Sequence, residues 1–296
     1  MKKNITPTVS SIAFLVAITL TFATQAQVNL LDPLHSPDTN PLLSTTGPNT
    51  VGKGHLQLSG AATWYSFSQN REVYPSIIGV DSKNTTVMAH DFSHELGGDI
   101  GLRYGLGSRF ELMASVGGAR NEYRYEFSSG TYSDTGHLLT PSLGLKVMLY
   151  RGEDWVPQLS AFARIDVPMA RFGDKWDVLG NGAEPVLGLL FRNRLGKRWT
   201  LDYGLSYRFK ERLVGNAVYV AQRDKPFQFD IMARWLANDR LLVSFGMENL
   251  GGKAEVMWQA TPTLQLKAQG GFAAGFGMNQ GVMETNALVG VNWMLQ

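Results

Sequence analysis

Apolar and polar residues alternate with a period of two in twelve stretches of this 296-residue chain. In the stretch Trp199–Phe209, every odd-numbered residue is large and apolar, and every even-numbered residue is small or polar. Successive side chains of a β-strand point to opposite faces, so such a segment has one apolar and one polar face. The apolar face is the inside of a soluble sandwich but the outside of an outer-membrane barrel. The choice between these two folds decides most of the functional question.

The connectors between the stretches favour the barrel. We predict short connectors after strands two, four, six, eight and ten, and long ones after strands one, three, five, seven and eleven. The connector after strand nine, Asn249–Lys253, is the exception to this alternation. The predicted long loops include Ser68–Met88, Ser128–Gly136 and Pro168–Ala183, and Gly270–Gly277 is also predicted to be a loop. Each strand has roughly the 9–11 residues that a tilted strand needs to cross a bilayer, and the strand number is even. A sandwich has no reason to place its long loops at one end only.

The tryptophans occupy the positions that a membrane barrel requires. Aromatic residues flanking an aliphatic span form the interface girdles of such barrels. A general preference of strands for aromatics explains their number but not their position. We therefore predict an all-β fold, a single antiparallel up-and-down transmembrane β-barrel of about twelve strands, with short periplasmic turns and long extracellular loops. The predicted interface aromatics are Trp64 at one rim and Trp155, Trp199, Trp235, Trp258 and Trp293 at the other.

The N-terminus has the features of an export signal. Lys2 and Lys3 precede an apolar run at 12–22 that is shorter than the ~20 residues of a spanning helix, and a small-residue cleavage site follows. We expect a signal peptide at 1–26 that is cleaved after Ala26, an irregular leader at 27–53 and the barrel at 54–296. The expected location is the outer membrane of a Gram-negative bacterium, with outer-membrane lipid and the barrel-assembly machinery as partners.

Composition argues against several classes of function. The absence of cysteine rules out disulfides and thiolate metal sites. Without Lys2 and Lys3, the mature chain has 25 basic and 25 acidic residues, a formal charge of zero that argues against nucleic-acid binding. His90 and His94 share a strand face but have no evident third metal ligand. No G-x-S-x-G or phosphate-binding motif occurs. We predict no metal, no cofactor and no enzymatic activity.

Charged residues of both signs follow the strand faces opposite the apolar ones. They are expected to point inward, because a lipid-facing Arg or Lys at mid-depth costs about 2–4 kcal/mol. A twelve-strand interior is wide enough either to pass a solute or to hold a network of ion pairs, and both possibilities stay open. The candidate lumen-lining residues are Glu95, Asp99, Arg103, Glu111, Lys146, Arg164, Asp166, Arg192, Asp202, Arg208, Asp230, Arg234, Glu255 and Lys267.

Several stretches also carry a family resemblance. They are Asp38–Pro41, Thr50–Leu58, Leu102–Leu112, Pro141–Lys146 and Leu201–Tyr207. Together they resemble the bacterial outer-membrane family labelled "meta-pathway of phenol degradation". The resemblance implies a β-barrel that helps aromatic or other organic molecules cross the outer membrane, and it implies no catalytic residues. The chain departs from the family pattern in lacking the Asp-Arg-Pro of the leader and in ending with Gln296 instead of an aromatic residue.

The sequence supports three functional hypotheses. The first is a channel or transporter for small organic solutes, with aromatic ones as candidates, whose lumen charges set selectivity and whose leader lies in the periplasmic mouth. The second is an enzyme embedded in the outer membrane, such as a Ser–His or Thr–His hydrolase. The third is a structural or adhesive barrel whose long loops bind partners while the lumen is closed.

Overall fold

The computed structural model describes most of the chain beyond the leader. The described residues are 48–73, 87–127, 130–152, 156–172, 175–178, 182–209, 227–248, 251–261, 263–277 and 280–295. Residues 1–47 lie outside them, so the signal peptide and most of the leader stay predictions. Among the described residues, no helix is long and apolar enough to cross a membrane.

The described residues form fourteen strands in one antiparallel sheet. The strands are β1 (Leu56–Val73), β2 (Val87–Gly105), β3 (Phe110–Phe127), β4 (Gly130–Tyr150), β5 (Gln158–Asp166), β6 (Met169–Phe172), β7 (Lys175–Val178), β8 (Glu184–Arg194), β9 (Trp199–Arg208), β10 (Phe227–Asn238), β11 (Leu241–Glu248), β12 (Gly251–Gln259), β13 (Leu264–Gly277) and β14 (Gln280–Leu295).

Twelve of these strands close into a barrel. Consecutive strands pair along the wall, β5 pairs with β8, and β14 pairs back onto β1. The remaining two, β6 and β7, form a hairpin that continues β5 along the upper part of β4. The break between β5 and β6 falls at Pro168, which has no N–H to donate to the ladder. The predicted twelve-strand antiparallel barrel is confirmed.

The apolar faces of the strands point outward. Ile100, Leu143 and Val289 are 71%, 65% and 67% exposed, whereas Glu111 and Lys146 are completely buried. Each large aliphatic side chain gains about 1.5–3 kcal/mol on leaving water, so a wall with this many exposed apolar groups requires an apolar surrounding. The alternation therefore builds a barrel with a lipid-facing exterior and a polar interior, and the sandwich alternative is wrong.

Three of the predicted long loops are largely strand. β4 begins at Gly130, the hairpin β6–β7 occupies the Pro168–Ala183 segment, and β13 runs through Gly270–Gly277. The strands β1 to β4 are 18–21 residues long, well beyond the predicted length. The register of β3 with β4 continues to the pair Phe127 and Gly130. On β3, for example, the inward Asn121 and the outward Glu122 are both polar, so the alternation that marks a membrane strand disappears while the backbone ladder continues.

The opposite end of the barrel has the predicted short turns. Residues 106–109, 195–198, 239–240 and 260–263 connect β2 to β3, β8 to β9, β10 to β11 and β12 to β13. The connectors 74–86 and 210–226 lie outside the described residues, so the long loops predicted there stay predictions.

Candidate functional site

All fourteen candidate lumen residues lie on the inward face of the wall. Ten of them are buried. The other four, Glu95, Arg164, Arg208 and Asp230, are partly buried and belong to the parts of their strands farther from the short turns. The strand period explains this placement, because each shares the parity of buried neighbours on its own strand. Eleven of the fourteen fall into three clusters, and Glu95, Asp99 and Asp230 lie outside them. Two of the clusters lie toward the short turns on different strands, and the third lies toward the other end of the barrel on β5, β8 and β9.

The leader cluster comprises Arg103 of β2, Glu111 of β3 and Lys146 of β4. The Arg103 guanidinium donates through Nε to Glu111 Oε1 at 2.6 Å and through Nη2 to Oε2 at 2.8 Å. Lys146 Nζ lies 3.5 Å from the same carboxylate. All three side chains are buried. Two cations therefore share one carboxylate, and a buried excess positive charge needs a further acceptor.

The wall supplies one further acceptor, Gln57 Oε1 of β1, at 3.1 Å from Arg103 Nη1, and the end of the leader supplies another. The carbonyl oxygen of Asn49 accepts hydrogen bonds from Arg103 Nη2, at 3.1 Å, and from Lys146 Nζ. The backbone N–H of Val51 donates to Glu111 Oε2 at 2.9 Å. The described end of the leader therefore lies inside the barrel near the short turns, where its main-chain groups complete the hydrogen bonding of the cluster.

The leader also reaches the neighbouring wall of β5. The Ser160 hydroxyl donates to the carbonyl oxygen of Pro48. Both residues are buried, as are Asn49 and Thr50. The Thr50 hydroxyl donates to the carbonyl of Ser108 in the turn between β2 and β3, at 3.3 Å. Contacts to four consecutive strands or their turn hold this segment across one side of the interior.

A glycine in the wall makes room for the leader. A Cβ atom on Gly105 would lie 1.6 Å from the carbonyl oxygen of Gly52. The backbones of the two segments are joined by hydrogen bonds from Gly54 N to Gly105 O, at 2.8 Å, and from Gly105 N to His55 O, at 3.0 Å. Gly52 and Gly54 have φ values of 85° and 78°, which disfavour residues with a Cβ. The entry of the leader into the barrel thus depends on glycine at the points of contact.

The strand cluster is built from side chains alone. Asp202 of β9 accepts from Arg192 of β8 through both carboxylate oxygens at 2.6 Å, and Arg234 of β10 lies 2.8 Å from Asp202 Oδ2. Arg234 reaches Glu255 of β12 at 3.2 Å, and Lys267 of β13 lies 2.8 Å from the same carboxylate. The charges alternate in sign around this part of the wall, and all five side chains are buried.

A small residue allows the strand cluster to cross β11. Ser244 is the register partner of both Arg234 and Glu255 and is completely buried between them. A serine side chain is too short to separate its two neighbours, so the guanidinium of one strand meets the carboxylate two strands away. The sequence pattern places each residue on the inward face, but only the register between strands brings them together.

The rim cluster lies toward the other end of the barrel. Asp166 of β5 lies 2.7 Å from Arg164 Nε and 3.0 Å from Arg208 Nη2. Arg208 of β9 also lies 3.0 Å from Glu184 of β8. Except for Asp166, these side chains are 10–18% exposed, so the rim cluster is wetter than the other two.

The interior also contains apolar side chains between the charges. Met113, Met148, Met232 and Met257 are each 5% exposed or less. They lie on the same strand faces as Glu111, Lys146, Arg234 and Glu255. Phe162 also faces inward, against Gly188, where an added Cβ would lie 2.2 Å from its ring. Methionine is flexible and polarizable and packs well against aromatic groups, so the interior offers apolar as well as charged surface.

The histidines and carboxylates of the described residues do not form a metal centre. Within them, no group of three or more His, Cys, Asp or Glu side chains is arranged to hold a metal ion. His94 packs edge-on against Phe92, with ring centroids 4.2 Å apart, and faces outward. The side chain of His90 lies outside the described residues.

Most of the predicted interface aromatics lie on the outer surface. Trp199 and Trp235 stack with their ring centroids 6.0 Å apart beside the short turns, and Trp258 is exposed near them. Trp64 is exposed toward the other rim. Trp293 is half-buried, and Trp155 lies outside the described residues.

Comparison with known proteins shows the fold. No family model matches the sequence, and no curated protein matches it. The structure is similar to an outer membrane channel from Pseudomonas putida F1, with a TM-score of 0.50 and 15% identity, over 87% of this chain and 100% of that one. The toluene transporters TodX of Pseudomonas putida and TbuX of Ralstonia pickettii each align at a TM-score of 0.43 and cover 92% of this chain. They are 11% and 10% identical to it and are covered over 99% and 100% of their own lengths.

Proposed function

We propose that this protein is an outer-membrane channel for small organic solutes, of the "meta-pathway of phenol degradation" type that its sequence resembles. The observation that carries the proposal is a lipid-facing apolar exterior around an interior that combines charged groups with methionine and phenylalanine. Charged groups allow water and polar atoms to enter, and thioethers and an aromatic ring give an organic solute apolar contacts. Aromatic solutes fit this combination.

In this proposal the leader is the gate. Residues 48–51 are the one described part of the interior filling that does not belong to the wall, and the main-chain hydrogen bonds that join the leader to β2 begin at residue 54. Its hydrogen bonds to Arg103, Glu111, Lys146 and Ser160 end on main-chain groups of residues 48–51. It can leave the interior without unpairing any strands. The strand cluster cannot do so, because each of its side chains is fixed to a paired strand.

A pair of leader deletions in planar bilayers tests the proposal. A mature chain lacking residues 27–51 removes every described interior contact of the leader, whereas a chain lacking only 27–46 keeps residues 48–51. We expect the longer deletion to give a clearly larger single-channel conductance than the intact chain. The shorter deletion is the matched control and should behave like the intact chain. Uptake of phenol by liposomes should follow the same order.

The result that would contradict the proposal is equally specific. If the intact chain and both deletions are folded barrels but give neither conductance nor solute uptake, the protein is not a channel. Equal conductance of the two deletions would keep the channel but remove residues 48–51 as its gate. Folding is checked by the heat-dependent shift in electrophoretic mobility that is typical of outer-membrane barrels.

The dense ion pairing also supports a second candidate function, a closed structural or adhesive barrel. Three clusters of opposite charges hold strands together across the interior, and buried charge networks of this kind can serve specificity of structure alone. The same bilayer measurement separates the two functions. A closed barrel stays non-conducting after the longer deletion, since the strand cluster and the rim cluster remain in place.

A further inference from the structure

The outer surface formed by β3, β4 and β6 carries a row of basic side chains. The row borders the apolar band on the side farther from the short turns. The row consists of Arg120 on β3, His137 on β4 and Arg171 on β6. The register pairs Arg120 with His137 and His137 with Arg171, so the three side chains are lateral neighbours on one face. Side chains of directly paired residues have Cβ atoms about 4.5–5.5 Å apart, so all three can contact one ligand.

Each member of the row is the first polar side chain outward of an uninterrupted apolar run on its strand. On β3 the outward residues from Phe110 to Gly118 are apolar, and on β4 those from Leu149 to Leu139 are apolar. On β5 and β6 the outward face is apolar up to Met169. Three neighbouring strands thus change from apolar to basic at corresponding points, which is where lipid tails give way to headgroups.

Tryptophans flank the row on both sides. Trp176 of β7 is the register partner of Arg171 and is 42% exposed. On the other side, Leu96 of β2 separates Arg120 from Trp64, which is 41% exposed. Tryptophan prefers the depth of the lipid headgroups, so these two residues place the row at the membrane interface independently of the charges.

Arg120 stays accessible to an anion beside its ion pair with Glu122. Arg120 is 58% exposed and lies 2.7 Å from Glu122, the next outward residue on β3. An ion pair exposed to this degree contributes little free energy, so it does not prevent Arg120 from binding a second acceptor. Glu122 is the one acidic side chain that the described outward face presents next to the row. Guanidinium groups bind phosphate in a bidentate manner, as they bind carboxylate, so a lipid phosphate is a suitable acceptor for the arginines of the row.

We infer that the Arg120–His137–Arg171 row is a binding site for the phosphate groups of an anionic lipid in the outer leaflet. The apolar band below it takes the acyl chains, and the basic row takes the headgroup. The inference rests on the proposed membrane location of the protein but not on conduction. The two proposals can therefore fail separately: the protein can be a channel that does not prefer this lipid, or a closed barrel that binds it.

Native mass spectrometry in detergent with diphosphoryl lipid A as the probe tests the inference. The wild-type barrel should retain lipid A in preference to phosphatidylcholine. The double variant R120Q/R171Q should bind lipid A about tenfold more weakly, since each basic residue near a lipid surface contributes roughly a few-fold in affinity. The matched control is R198Q/R240Q, which loses the same charge in the short turns at the other end and should bind within about twofold of the wild type.

Three outcomes overturn the inference. They are an unchanged affinity in R120Q/R171Q, an equal loss in both double variants, and equal retention of lipid A and phosphatidylcholine by the wild type. Because the altered side chains are exposed at the surface, both variants should fold, and their thermal transitions in the absence of lipid A verify this. Bilayer conductance of R120Q/R171Q should match that of the wild type, which separates this site from the channel.

Discussion

The leader cluster and the strand cluster lie in the same half of the barrel and stabilise a buried excess of positive charge in two different ways. Each contains one more cation than carboxylates, and each is buried. In the strand cluster, the charges alternate along five strands and every cation lies next to a carboxylate. In the leader cluster, two cations share one carboxylate, and the carbonyl of Asn49 provides a further acceptor. The wall alone supplies the partners of the strand cluster, whereas the hydrogen bonding of the leader cluster also needs the leader.

This difference separates stability from gating. Side chains on paired strands cannot move apart without breaking the backbone ladder, so the strand cluster acts as a permanent clamp. A main-chain acceptor on a segment outside the ladder can be exchanged for water. The comparison therefore predicts that damage to the strand cluster lowers stability without opening the barrel, and that damage to the leader cluster opens it.

The largest expected effect is that of Asp202→Asn. The substitution leaves Arg192 and Arg234 without the carboxylate that joins them, in a completely buried position. Removing one partner of a buried ion pair costs about 3–5 kcal/mol, so we expect a loss of this size in the free energy of unfolding. Guanidinium unfolding in detergent measures it. Conductance should stay at the wild-type value, and a gain in conductance would break the comparison.

A smaller loss of stability and a larger change in conductance are expected for Glu111→Gln. Arg103 and Lys146 keep the Asn49 carbonyl as acceptor, and the new amide still offers one oxygen, so the cost is about 2–3 kcal/mol. The Val51 N–H exchanges a charged acceptor for a neutral one, which weakens the hold on the leader. We expect more frequent channel openings than in the wild type. The same conductance measurement on Asp202→Asn is the control. It shows whether more frequent opening results from the change in the leader cluster or from the loss of stability alone.

The smallest and most local effect is expected for Gly105→Ala. A methyl group there collides with the Gly52 carbonyl and should displace the leader, at about 1–3 kcal/mol, the usual cost of overpacking. Gly107→Ala is the matched control, because a Cβ at that position meets nothing within 4 Å. Channel openings should increase in the first variant only. If the two variants conduct alike, the close approach at Gly105 does not hold the leader.

The fold was largely predictable, and the strand ends were not. Period-two alternation in segments such as Trp199–Phe209, together with the short turns, was enough to predict twelve strands and an outward apolar face. The extensions of β1 to β4 were missed where polar residues occupy both faces, as at Asn121 and Glu122 of β3, because the sequence there has no alternation to detect. The extension of β13 was missed because Gly270–Gly277 contains only Gly, Ala and Phe. The hairpin β6–β7 was read as a loop because each of its strands has only four residues and Pro168 suggests an end to the preceding strand.

For each strand taken separately, the sequence predicted which side chains face the interior. Parity along each strand placed all fourteen candidate residues on the inward face, where the structure has them. It could not show which of them meet, since contact depends on the register between strands that are distant in sequence. Arg234 and Glu255 meet across Ser244, and Arg103, Glu111 and Lys146 meet at the end of the leader, which no spacing along the chain reveals.

By itself, the sequence determined the features that follow from local patterns. These are strands with one apolar face, an even number of strands, and charged side chains that must point away from lipid. The reason is that the direction of a side chain along a strand depends only on its position in that strand. The tertiary structure alone decided how the interior is filled. The closure of the barrel sets the register that brings charges from separate strands together, and it places the main chain of residues 48–51 within hydrogen-bonding distance of two buried cations that share one carboxylate.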